Sequence, residues 1–242
     1  MDRLDDVLGY KNLKIYQNSS YFSFSLDSII LANYTSIRLR DKNIIDFCTG
    51  NGVVPLILSR RTKANIVGVE IQDKLADLAR KSVEYNNLND RIQIITDDIK
   101  EYSLNHLNEF DLILCNPPYF KVVEKSLLND SYEKKIARHE ITISLEEICE
   151  CAKKVLKDKG KIGIVHRSVR LMDILEMLRK YNLEPKSIQF VYENINKEST
   201  LVLVEAQKCG NVGLTIKKPI ILYDLNGNET EEYSKLQREV LK

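Results

Sequence analysis

The stretch LILCNPPYF, residues 112–120, carries an apolar strand straight into Asn116-Pro117-Pro118-Tyr119. An asparagine supplies a side-chain carbonyl. Two prolines lack N–H groups and hold φ near about −65°, so the turn that follows is stiff. Tyr119 adds an aromatic face. Three other apolar runs also end in polar groups. Ile44–Cys48 runs into Asp46-Phe47-Cys48-Thr49-Gly50-Asn51-Gly52. Ile66–Val69 ends at Glu70, 24 positions after Asp46, and Ile92–Ile95 ends at Asp97-Asp98. Gly50 and Gly52 let a backbone turn tightly and approach a ligand. An acidic residue at the end of a second strand accepts hydrogen bonds from both hydroxyls of a ribose. A carboxylate ending the third strand accepts from an adenine amino group. The layout suits a nucleoside cofactor, and a phosphate site would call for G-x-G-x-x-G or a P-loop, neither of which is present. Taken singly, the glycines read as turn residues, Glu70 as a loop charge and Asp97-Asp98 as a cap for the following turn. Their order and spacing together favour the cofactor reading.

The elements that must hold these residues follow from periodicity. Short apolar runs at 44–48, 66–69, 92–95, 112–115 and 162–165 read as strands. Between them, Val53–Arg61, Lys74–Asn87, Leu145–Leu156 and Val169–Tyr181 read as helices; Leu75, Leu78, Ala79 and Val83 share one face of the second. Lys159-Gly160 reads as a helix C-cap. Ser25 and Asp27 open a helix through Asn33. Residues 188–192 and 201–206 form a closing pair. Residues 10–24 read as a hairpin about Asn18-Ser19-Ser20, residues 120–143 as a long loop, and the tail as a strand, an Asn-Gly turn and a helix. Strands alternating with helices give an α/β fold, with a mostly parallel sheet covered on both faces. Ligands then bind at the carboxyl ends of the strands.

The chain of 242 residues is 43% apolar and 29% charged, with net charge +1, so a basic surface for nucleic acid must be local. No run approaches a membrane span, and the charged N-terminus lacks the apolar centre of a signal peptide, so a cytoplasmic protein is expected. Cys48, Cys115, Cys149, Cys151 and Cys209 have no zinc-like spacing and read as free thiols. No metal and no membrane partner are expected, and a monomer is the working expectation.

DFCTGNG, VGVE, TDDI and NPPY, in this order, resemble the class I S-adenosylmethionine-dependent methyltransferases that act on amino nitrogens. The resemblance covers most of residues 21–206. It implies a Rossmann-like, mostly parallel seven-stranded sheet, with a hairpin extension at 1–24, a core at 25–206 and a C-terminal strand-helix extension at 207–242, all one methyltransferase domain. It implies S-adenosyl-L-methionine as cofactor. Asp46, Cys48, Gly50 and Gly52 would lie along its methionine part, Glu70 on the ribose, Ile71 on the adenine and Asp98 at the adenine amino group, with Asn116 between cofactor and substrate. Cys48 stands where many members carry glycine.

Asn116, Pro117, Pro118 and Tyr119 then take catalytic roles. An exocyclic amino nitrogen is a poor nucleophile because its lone pair is delocalised into the ring. Acceptors aimed at its two N–H bonds favour a pyramidal nitrogen: the Asn116 side-chain carbonyl and the Pro117 backbone carbonyl. Tyr119 offers a stacking face for an extruded base. FSFSLDSIILANY (22–34), ARHEITISLEEI (137–148) and YDLNGNETEEY further resemble the bacterial tRNA methyltransferases that modify N6 of adenine 37, beside the anticodon, of a valine tRNA. That resemblance implies a tRNA anticodon stem-loop as partner, whose partly unstacked bases are cheap to extrude. Arg138 and His139 are the favoured substrate contacts. Lys121, Lys125, Lys134 and Lys135, then Arg60, Arg61 and Lys63, then His166, Arg167 and Arg170, are further options. Open alternatives are guanine N2 in rRNA, a protein glutamine amide, or an RNA-binding factor without catalysis.

Overall fold

The structure, a computed structural model, describes residues 2–19, 25–118 and 143–236. A hairpin of β1 (Asp2–Asp6) and β2 (Lys14–Asn18) precedes α1 (Leu26–Tyr34). Alternation then begins: β3 (Asn43–Phe47), α2 (Val53–Arg61), β4 (Asn65–Glu70), α3 (Asp73–Tyr85), β5 (Ile92–Thr96), α4 (Ile99–Asn105) and β6 (Phe110–Cys115). After residue 142 come α5 (Leu145–Val155), β7 (Leu156–Arg167), a 3-10 turn at Ser168–Arg170, α6 (Leu171–Lys180), β8 (Leu183–Tyr192) and β9 (Ser199–Lys208). Two-residue strands β10 (Thr215–Ile216) and β11 (Ile220–Ile221) and helix α7 (Glu231–Leu236) complete the described chain.

Seven long strands run in the order β8-β9-β7-β6-β3-β4-β5, and β10 and β11 add short parallel pairings to the outer edge of β8. Only β9 runs against its neighbours. The expected seven-stranded, mostly parallel sheet is present. Period-two alternation explains its two cores. Ile44, Leu112 and Leu114 pack with α1, α2 and α3 on one face. Ile45, Phe47, Ile113 and Cys115 pack with α4, α5 and α6 on the other. The chain leaves β3 toward β4 and β5, then returns past it to β6 and β7. That reversal opens a crevice between the carboxyl ends of β3 and β6, where such sheets bind ligands.

The chain opens on a hairpin, in which Lys14–Asn18 pairs with Asp2–Asp6. Residues 20–24, where the sequence reading puts the partner strand, lie outside the described residues. The first strand, DRLDD, shows no apolar alternation and is held by polar contacts. Lys14 pairs with Asp6 at 2.7 Å and Gln17 donates to Asp5 at 2.8 Å. Beneath, β2 docks on α3: the Tyr16 amide donates to Ser82 Oγ at 2.8 Å, and Asn86 bonds both the amide and the carbonyl of Lys14. Lys159-Gly160 is no C-cap. Helix α5 ends at Val155, and Leu156 already pairs with Phe110. Lys159, at φ 61°, belongs to an irregularity in the β6–β7 register. The long loop expected at 120–143 lies almost wholly outside the described residues. No described helix is long and apolar enough to cross a membrane.

One buried carboxylate fastens the sheet to α1. Glu205 on β9 accepts from the Ser36 amide at 2.7 Å and hydroxyl at 2.5 Å, from Ser187 at 2.8 Å and from Lys217 at 2.6 Å. Burial raises its pKa, but the bonds from Lys217 and Ser36 outweigh burial and hold it at about 2. The stabilisation is therefore full above the ordinary value of 4.5 and is lost as pH falls from there toward 2. Glu205→Ala leaves the Lys217 ammonium and three donors without their acceptor, so it should cost about 3–5 kcal/mol. Urea denaturation at pH 7 measures this. A loss under about 1 kcal/mol would mean the cluster is solvated rather than structural.

Candidate active site

A cavity of about 600 Å³ occupies the crevice. It is lined by Cys48, Gly50, Asn51, Glu70, Ile71, Asp97, Asp98, Asn116, Pro117 and Pro118, together with Ser25, Asp27, Ser28 and Arg167. The volume is that of a small-ligand site.

The loop after β3 is shaped by left-handed residues. Cys48, Gly50 and Gly52 have φ of 57°, 58° and 85°. A Cβ on Gly50 would meet nothing within 4 Å, so its face is open to a ligand. A Cβ on Gly52 would lie 3.0 Å from that of Ala79, so glycine lets α2 start hard against α3. Cys48 takes the conformation a glycine would favour, at a cost of about 1–2 kcal/mol. The thiols of Cys48 and Cys115 share a hydrogen bond; that bond and burial hold Cys115 well above the ordinary thiol range. All five cysteines are free.

Two carboxylates hold this loop. Glu70, 5% exposed, accepts from the Gly50 amide at 2.8 Å and the Gln72 amide at 3.0 Å. Burial raises its pKa, and these amides pull it back. Asp46 accepts from the Thr49 hydroxyl at 2.5 Å, and its own burial pushes it to about 8. Asp46 and Gly52 are not among the cavity-lining residues; they brace the loop from behind. Asp97 accepts from the Asp98 amide at 2.8 Å. Asp98 lines the cavity and also caps α4, accepting from the Lys100 amide at 2.9 Å. The sequence reading missed α4 as a helix. Asp98-Ile99-Lys100-Glu101 has the spacing of a capping box and signals it.

The cavity holds unspent polar atoms. Asn51 Nδ2 and Ser25 Oγ are buried without a hydrogen-bond partner among the described residues. Asn51 is 4% exposed. Asn51 was not singled out from the sequence, and Ser25 only as a helix N-cap, because side-chain amides and hydroxyls in loops are common. A donor left over here, an open Gly50 face and acidic acceptors at Glu70 and Asp98 fit a ligand with a carboxylate and a hydroxylated sugar. On the far wall, Asn116 Nδ2 donates to Ser28 Oγ at 2.8 Å, Pro117 is buried and Pro118 is exposed. Tyr119, Arg138 and His139 lie outside the described residues, as do Lys121, Lys125, Lys134 and Lys135.

The other basic groups separate. Arg61 donates to the carbonyls of Ala32 and Thr35, and Arg60 to that of Asn12. With Lys63, they stand at the end of α2 away from the cavity, so they are structural or distant. His166 is buried and pushed down to about 4, by burial first and then by Arg170 and Arg167, so it is neutral at pH 7. Of the cationic options among the described residues, Arg167 alone lines the cavity. Among the described residues no group of three His, Cys, Asp or Glu side chains gathers as a metal site.

Known proteins share this architecture. A protein of Porphyromonas gingivalis named tRNA1(Val) (adenine(37)-N6)-methyltransferase is 29% identical over 207 residues, covering 83% of this chain and 80% of its own. One of the same name from Haemophilus influenzae is 27% identical over 232 residues, covering 95% and 96%. Among solved structures, a predicted O-methyltransferase from Agrobacterium tumefaciens superposes with a TM-score of 0.70 at 18% identity, over 88% of this chain and 95% of that one. P. horikoshii TYW2 in complex with MeSAdo gives 0.59 at 13%, over 86% and 72%. These structures share the fold. The Methyltransferase small domain family matches residues 20–190, which hold every strand from β3 to β7 and the whole described cavity, and the chain belongs to that family.

Proposed function

We propose that this chain is an S-adenosylmethionine-dependent methyltransferase that modifies N6 of an adenine in tRNA, namely adenine 37 beside the anticodon of a valine tRNA. The observation that carries the reading is one cavity lined by the acidic strand ends, Glu70 and Asp98, together with Asn116 and Pro117. The names of the relatives supply the substrate. S-adenosylmethionine, when bound, provides an electrophilic methyl group on a sulfonium. Glu70 would accept from the ribose hydroxyls, Ile71 would lie on the adenine, and Asp98 would accept from its amino group. Asn51 and Ser25 would donate to the carboxylate end. Asn116 Oδ1 and the Pro117 carbonyl would accept the two N–H bonds of the target amine. Its lone pair then points away from the ring system, and the stiff prolines keep the acceptors in place. Tyr119 would stack on the extruded base, and Arg138 and His139 would contact RNA. The chain would work in the cytoplasm as a single methyltransferase domain.

The test is radiolabelled methyl transfer to tRNA from cells lacking the protein, with the labelled nucleotide mapped. Label in N6-methyladenosine at position 37 supports the reading. Label in N2-methylguanosine, or transfer to protein only, overturns it. For the loop, Arg138→Glu should weaken tRNA binding and lower its salt slope by about one, since one phosphate contact and its counterion are lost. Cofactor affinity should not change. An unaltered slope and affinity would return Arg138 to the solvated surface.

A further inference from the structure

We propose that Arg167 binds a backbone phosphate flanking the target base, at the mouth of the cavity, so that the site takes a nucleotide within an RNA strand and not a free nucleoside or a protein amide. This rests on the tRNA reading proposed above. The distribution of charge along the cavity wall carries it. Among the described residues, four carboxylates line the cavity, Asp27, Glu70, Asp97 and Asp98, and one cation, Arg167. Glu70 ends β4, Asp97 and Asp98 follow β5, and Arg167 ends β7. In the sheet order β7-β6-β3-β4-β5, Asn116, just past β6, stands between the cation and those three carboxylates. The acidic end favours hydroxyls and amino groups and repels phosphate. The opposite end favours an anion.

Depth separates Arg167 from Asn116 as well. Cys115 on β6 is level with Ile164 on β7. Asn116 lies just past that level, while β7 continues to Arg167. At about 3.3 Å per residue, the Arg167 backbone stands roughly 7 Å further out along the strand direction. Arg167 is exposed, and Cys115 is fully buried. An extruded nucleotide enters base first, so its amino group goes deepest and its phosphates stay outermost. Asn116 below and Arg167 above match those two ends.

The backbone that carries the arginine is fixed. Arg167 pairs with Leu201 of β9, its amide donates to Nδ1 of buried His166 at 2.8 Å, and the next residue, Ser168, donates to the Ser199 carbonyl. The guanidinium itself has no hydrogen-bond or ion-pair partner among the described residues. Its neighbours in type are engaged: Arg170 pairs with Asp173, and Arg61 holds the carbonyls of Ala32 and Thr35. Arg167 is thus a permanent charge on a fixed strand end, with its five donors uncommitted, and a guanidinium fork matches two phosphate oxygens.

The experiment is a cycle between protein and RNA, read by fluorescence anisotropy at fixed salt. The probes are a native anticodon stem-loop RNA and two copies of it, each with an uncharged methylphosphonate on one side of the target adenosine. Arg167→Gln should bind the native RNA about 10-fold more weakly than wild type does. One of the two methylphosphonates should weaken wild type by about the same factor. On that RNA, Arg167→Gln should lose nothing further, since the pair is already broken. Arg167→Lys keeps the charge without the fork and should fall between wild type and Gln. Calorimetric affinity for S-adenosylhomocysteine should stay within about twofold in both variants. Unchanged binding of native RNA by Arg167→Gln, or an equal loss on all three RNAs, overturns the proposal. So does a fall in S-adenosylhomocysteine affinity, which would put the guanidinium on the cofactor's carboxylate instead. If wild type methylates adenine 37 and one of these results is found, only the role of Arg167 fails. If wild type transfers methyl to no tRNA, the tRNA reading fails first, and the role of Arg167 falls with it.

Discussion

Asn116→Ala is expected to lower methyl transfer by about 10²–10³, because one preorganised polar contact to a reacting group is commonly worth that much. The fold should survive. The side chain lies at a cavity wall, and its bond to Ser28 is lost without exposing the core. Leaving the Ser28 hydroxyl without that donor costs about 1 kcal/mol in stability, and a thermal melt reads it. Cofactor affinity should stay near wild type, since Glu70, Asn51 and Asp98 are untouched. Tyr119 gives the control. Tyr119→Ala would remove the proposed stacking face, worth roughly 1–3 kcal/mol, and should impair holding the base. Tyr119→Phe keeps the ring and should keep most activity. Should Tyr119→Phe prove as inactive as Asn116→Ala, the hydroxyl has a chemical role and the stacking account is wrong. Near-full activity in Asn116→Ala would reduce Asn-Pro-Pro-Tyr to a rigid turn.

Much of this arrangement was legible in the sequence. Strong periodicity marked α3, and unbroken apolar runs marked β3, β4, β5 and β6. Polar residues at the ends of those runs had to converge, because parallel strands put their carboxyl ends on one edge. What escaped reading was set by contacts distant in sequence. The first hairpin strand, Asp2–Asp6, is polar and exists through its partner strand and Lys81, which pairs with Asp2 at 2.7 Å. The β6–β7 irregularity that absorbs Lys159 depends on a neighbouring strand. At the site, Glu70 and Asp98 show their local roles and also stand where the proposed functional ones require them. Each carboxylate holds its own loop and still lines the cavity. Single residues could not show that, and neither could they show that Ser28, 88 positions from Asn116, would meet it.

The double duty proposed for Glu70 makes its removal the second large effect. Glu70→Ala deletes the acceptor for the Gly50 and Gln72 amides, and with it the ribose acceptor proposed here. Hydrogen bonds to a charged group are worth about 1.5–3 kcal/mol each, so losing the sugar contact should weaken cofactor binding about 100-fold. Affinity alone does not separate the two duties, because a loosened loop also binds poorly. The ligand separates them. Wild type should prefer S-adenosylhomocysteine strongly over its 2′,3′-dideoxy counterpart, which lacks both hydroxyls. If Glu70 accepts from those hydroxyls, Glu70→Ala should bind the two ligands about equally. Glu70→Gln tests the loop from the other side. Its carbonyl oxygen can still accept one amide, while its NH₂ faces the other amide's N–H, so Gln should fall between Glu and Ala in stability. Calorimetry with both ligands on all three proteins reads the result. If Glu70→Ala still discriminates between the ligands as wild type does, Glu70 is a clamp for the loop, and the ribose is held by something else.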